Sequence, residues 1–93
     1  MNQKIFSTLD IYLSAYLSLH DIEPCLEVKN GKTVFNFDVT DRLYKLMGEF
    51  NSNALVEVAD FTTAIKTLRG KMLSAKESVT DNVKGRNYGN SKY

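Results

Sequence analysis

The dipeptide Asn30-Gly31 constrains this chain more than any other feature. Both residues tolerate positive φ, which a two-residue turn between antiparallel strands demands. The flanking segments, Cys25–Lys29 and Lys32–Phe37, alternate apolar and polar residues. A two-residue turn fixes the register, so Lys29 faces Lys32, Val28 faces Thr33, Glu27 faces Val34 and Leu26 faces Phe35. Leu26, Val28, Phe35 and Phe37 then share one face, and Glu27, Lys29, Lys32, Val34 and Asn36 share the other. A hairpin with one apolar face is not stable alone and needs helices to cover it.

Three helical patterns supply the cover. Upstream, Ser7 is placed to cap a helix over about Thr8–His20, with Asp10 reaching back three residues later and Phe6 and Ile11 as a staple. Leu9, Leu13, Tyr16 and Leu17 form its core face, and Tyr12, Ala15 and Leu19 widen it, leaving only Asp10, Ser14 and Ser18 as a polar stripe. A helix this apolar is covered on two sides by its own domain or docks on a partner, and Ile11, Ala15 and Leu19 are the candidate interface, for self-association or for another protein. Downstream, Asp38 or Thr40 caps a helix over Asp41–Phe50 with Leu43, Leu46, Met47 and Phe50 as its core stripe. Ala54–Val58 alternates like a strand. Asp60 then caps a third helix, whose stripe is Phe61, Ala64, Ile65, Leu68 and Met72 and which fades near residues 75–78.

The expectation is a single small α+β domain over residues 1–76, in the order αββαβα. Its three-stranded mixed sheet has helices mainly on one face and a polar, solvated second face. Residues 77–93, poor in aliphatic side chains, read as a flexible basic tail. At 93 residues there is room for one domain.

Composition narrows the chemistry. One Cys and one His exclude a Cys/His zinc site within the chain and an internal disulfide framework, so no metal and no cofactor is expected. The five glycines form no phosphate-binding loop. His20 and Cys25 are the only nucleophile pair, with no third group to orient them, and Asp38, Asp41 and Asp60 are explained as helix caps or first-turn acids. The chain is expected not to be an enzyme. No targeting segment is visible and the uncharged stretch Ile11–His20 is too short to cross a bilayer, so the expected location is the cytoplasm, without membrane association.

Charge is distributed unevenly. The net charge of +1 divides into 5 Lys+Arg against 9 Asp+Glu in residues 1–60, a net −4, and 7 against 2 in residues 61–93, a net +5. No acid lies between Phe61 and Lys76, a stretch holding Lys66, Arg69, Lys71 and Lys76. Gly70 projects almost opposite the core stripe and costs a helix about 1 kcal/mol relative to Ala. It reads as a point of close approach for a phosphate backbone or a partner. Lys84 and Arg86, interleaved with Tyr88 and Tyr93, extend this surface into the tail. A solvated helix face that favours the macrodipole explains the same cations without a ligand. The candidate contact set is Lys66, Arg69, Gly70, Lys71, Lys76, Lys84 and Arg86. The candidate partners are nucleic acid and an acidic or nucleic-acid-handling protein.

The run Ser7-Thr8-Leu9-Asp10-Ile11-Tyr12-Leu13-Ser14-Ala15-Tyr16-Leu17 opens the pattern. The hairpin ending Val34-Phe35-Asn36-Phe37-Asp38, the stretch Leu43 to Phe50, and Val56-Glu57-Val58 leading into Phe61, Ala64, Ile65 and Leu68 complete it. Over residues 6–73 it resembles a family of short bacterial, archaeal and phage proteins known only as a domain of unknown function. The resemblance implies a prokaryotic or phage origin, a host cytoplasm if phage-encoded, and a compact αββαβα domain. It implies no activity and no site.

Two functions follow from these surfaces. One is a non-catalytic accessory module that engages nucleic acid or a nucleic-acid-handling complex through the basic third helix and tail. The other is a protein–protein module that uses the apolar first helix, as an inhibitor of a host or defence protein or as a component of an assembly such as a virion.

Overall fold

A computed structural model describes residues 4–84, with side chains through Ser78. The elements are β1 (Ile5–Thr8), α1 (Ile11–Leu19), β2 (Cys25–Lys29), β3 (Lys32–Asp38), α2 (Asp41–Asn51) and α3 (Val58–Lys84). The α+β class, the count of three helices and three strands, and the hairpin stand as the sequence implied. Asn30 and Gly31 adopt φ of 52° and 76°, and all four predicted cross-strand pairs are present.

The third strand is elsewhere than expected. The order is βαββαα rather than αββαβα, and the sheet is wholly antiparallel, in the order β1-β3-β2, rather than mixed. β1 supplies it, with Phe6 opposite Phe37 and Thr8 opposite Phe35, and the Val39 N–H extends the ladder to the Lys4 carbonyl at 3.0 Å. β3 is thus the central strand, with both edges occupied, and no edge of it remains for residues 54–58. Ala54 and Val56 still turn inward against the core while Leu55 is 99% exposed, so the alternation is real but no ladder accompanies it. Val58 belongs to the first turn of α3, which begins two residues before the expected cap and continues past residues 75–78 to Lys84.

With Ser7 in a strand, the cap of α1 passes to Asp10. Its Oδ1 accepts from the backbone N–H of Tyr12 at 2.9 Å and of Leu13 at 3.2 Å, while its own N–H donates to Thr8 Oγ1 at 3.0 Å. α1 ends before Pro24 acts. Asp21 takes a left-handed φ of 65°, and the Ile22 N–H returns to the Leu17 carbonyl at 3.0 Å, closing the last turn. Thr40, not Asp38, caps α2, accepting from the Leu43 N–H at 3.0 Å.

The core lies between the sheet and the helices. Phe35, Phe37, Leu17, Leu43 and Leu68 are fully buried there. α1 is its centre, packed mainly on α3 and also on α2, and every residue from Leu13 to Leu17 is buried. Ser14 is therefore not part of a solvent stripe, and its hydroxyl donates to the Asp10 carbonyl at 2.9 Å. Leu9, expected in the core, precedes the helix and is 57% exposed. Tyr16 is buried between α1 and α2, its ring 5.5 Å from that of Phe50 and 4.8 Å from that of His20. Its hydroxyl donates to Glu49 Oε1 at 3.3 Å. Burial first, and the adjacent Glu49 carboxylate second, push the phenol above the ordinary tyrosine range, so it remains a neutral donor.

Candidate nucleic-acid interface

α3 presents two faces set by its 3.6-residue period. Leu68 is buried, and Phe61, Ala64, Ile65 and Met72 pack on the core around it. Thr62, Lys66, Arg69, Leu73 and Lys76 follow a four-three-four-three spacing, which aligns them along one flank, and all five are exposed. From Lys66 to Lys76 this flank runs about 15 Å along the axis at the helical rise per residue. Among the described residues none of its three cations makes an ion pair with a side chain or terminus. Leu73, 62% exposed, sits between Arg69 and Lys76.

Gly70 lies beside this flank, and a Cβ added there meets nothing within 4 Å. No packing within the chain requires a glycine at that position. Lys71 is not part of the flank. It lies on the other side of the core stripe and approaches Glu23, after α1, with Nζ to Oε1 at 3.8 Å. Lys84 is the last residue of α3 and its side chain lies outside the described ones, as does all of Arg86, Tyr88 and Tyr93.

The face proposed for α1 is spent inside the fold. Ala15 has no exposed surface, Ile11 packs on the core and Leu19 is half-buried. The domain covers this helix with α3 on one side and α2 on another. Cys25 is exposed and lies opposite Asn36 on the open face of the sheet. His20 packs against Tyr16. Among the described residues no group of three or more His, Cys, Asp or Glu side chains is placed to hold a metal ion, and no helix is long and apolar enough to cross a membrane.

The open face carries the second notable polar arrangement. Ser7 donates to Asn36 Oδ1, and Asn36 Nδ2 donates to Glu27 Oε1 at 2.9 Å. Lys29 Nζ approaches the same Glu27 oxygen at 3.7 Å. This chain of contacts ties all three strands together on the solvent side.

A family model matches residues 3–74, from before β1 into the fifth turn of α3. The chain belongs to that family, Domain of unknown function (DUF5659). The DUF5659 match includes Lys66, Arg69, Gly70 and Lys71 and ends before Lys76. No curated protein and no solved structure matches the chain.

Proposed function

We propose that this DUF5659 protein is a non-catalytic cytoplasmic module that binds nucleic acid through the flank of α3 bearing Lys66, Arg69 and Lys76. The observation that carries the reading is the alignment of three exposed cations, none with an ion-pair partner among the described residues, along about 15 Å of one helix. Cations that serve only the helix macrodipole cluster in the last turn. Lys66 and Arg69 lie mid-helix, between Val58 and Lys84, where the dipole contributes little. Phosphates spaced along a strand match such a row, and counterion release supplies the affinity. Leu73, exposed among the cations, gives an unstacked base or sugar an apolar contact, which favours a single strand over a duplex. Gly70, with open space around it, admits close approach of that strand.

The test is a salt titration of binding to single- and double-stranded DNA and RNA. Three phosphate contacts predict a log–log salt slope of about −2 for a single strand. Reversal of Lys66 and Arg69 to Glu abolishes binding in this reading, while Lys71→Glu has a small effect. No binding at low salt, or binding indifferent to the double reversal, overturns it. Binding to an acidic protein but to no nucleic acid transfers the flank to the protein–protein reading.

A further inference from the structure

We propose that the open face of the sheet, beside the β2–β3 turn, is a separate binding site for an organic phosphate of nucleotide size. Lys29 and Lys32 are register partners, so their side chains leave the sheet on the same, helix-free face. Like charges directly opposite each other across antiparallel strands repel, and the Asn30-Gly31 turn needs no such pair to form. Glu27 offsets one of the two, with its carboxylate 3.7 Å from Lys29 Nζ. Lys32 has no ion-pair partner among the described residues. The pair therefore holds an excess of positive charge that the fold itself does not use.

The two lysines border an open depression of about 470 Å³, and no carboxylate lines it. The end of β1 forms the opposite wall, with Ser7 and the exposed Leu9, and Val34 lies between. Two ammonium groups suit a phosphate. Leu9 and Val34 suit the sugar or base attached to it. An inorganic anion would use only the first half of this surface, whereas a nucleotide uses both. The site is independent of α3, which packs on the other face of the sheet.

The experiment is equilibrium dialysis of the full chain at low ionic strength against AMP, adenosine and inorganic phosphate. AMP is expected to bind and adenosine is not. Lys32→Glu is expected to weaken AMP about tenfold or more while raising Tm, because it replaces a repulsive cross-strand pair with an attractive one. Leu9→Ser weakens AMP and leaves inorganic phosphate unchanged. Lys66→Glu with Arg69→Glu leaves AMP binding intact, which separates failure here from failure of the α3 reading. In that double variant, displacement of AMP by a single-stranded oligonucleotide assigns the site to a nucleotide within a strand. Occupancy by AMP alone assigns it to the free nucleotide. Absence of AMP binding, indifference to Lys32→Glu, or equal affinity for AMP and inorganic phosphate with no effect of Leu9→Ser overturns the proposal.

Discussion

Thr33 shows how a single residue records a conflict between face and chemistry. The register places it on the core face, opposite Val28, and it is buried, yet its hydroxyl has no hydrogen-bond partner. A buried polar group left unpaired costs about 1–3 kcal/mol, whereas an apolar group of the same shape costs nothing of the kind. Thr33→Val, which keeps the β-branched shape, is expected to stabilise the domain by about 1 kcal/mol. In a domain of this size that raises Tm by about 4–8 °C. A thermal melt showing no rise would mean that the hydroxyl finds a partner in solution. Asp10 is the opposite case. It was read as the reciprocal partner of a Ser7 cap, and it is itself the cap, because Ser7 is already paired in a strand. Both residues can accept a helix N–H, so local sequence does not choose between them.

At the scale of elements, α3 couples stability to binding. Its inner stripe, from Phe61 to Met72, was legible because a 3.6-residue period with apolar repeats needs no knowledge of the partner surface. Its basic outer flank was legible for the same reason. The role of Lys71 was not, since Glu23 lies 48 positions earlier in the chain and only the packing of α3 beside α1 brings the two together. Gly70 gives the element its sharpest test. With open space around it, Gly70→Ala should stabilise the helix by about 1 kcal/mol. If a strand approaches the backbone there, the same substitution weakens single-stranded binding, so Tm and Kd rise together. A rise in Tm with unchanged affinity would remove Gly70 from the contact surface.

Over the whole molecule, the described chain is flat, with a radius of gyration of 15.6 Å and extents of 46 × 39 × 18 Å. A compact chain of this length has a radius of gyration of about 12 Å. The excess follows from α3, whose 27 residues span about 40 Å. Met72 is its last described residue packed on the core. β1 completes the sheet, pairing along β3 and setting Phe6 against Phe37 with ring centroids 6.4 Å apart. Removal of residues 1–8 is expected to abolish the cooperative thermal transition. It unpairs one edge of the central strand and uncovers Phe35 and Phe37 in a domain with little stability to spare. A truncated chain that melts with the same midpoint would show β1 to be dispensable.

The sequence by itself determined the hairpin with its register, the core stripes of α2 and α3, the polar open face and the separation of an acidic front from a basic α3. Each of these rests on interactions within a few residues or on a period along one element, where sequence distance and spatial distance nearly coincide. Tertiary structure alone decided that β1 is the third strand, that residues 54–57 are not one, that Ile11, Ala15 and Leu19 of α1 are spent inside the fold while Tyr12 stays exposed, and that Lys71 meets Glu23. It also set the end of β1 beside Lys29 and Lys32. The strand assignment depends on which free edge of β3 is filled, by a segment some thirty residues away, and the rest on how α3 packs beside α1. Four residues of alternating Ile, Phe, Ser and Thr carry too little pattern to announce that pairing. The edge of the sheet, once formed, selects them because they place Phe6 on the core face and leave Ser7 to reach Asn36 on the other.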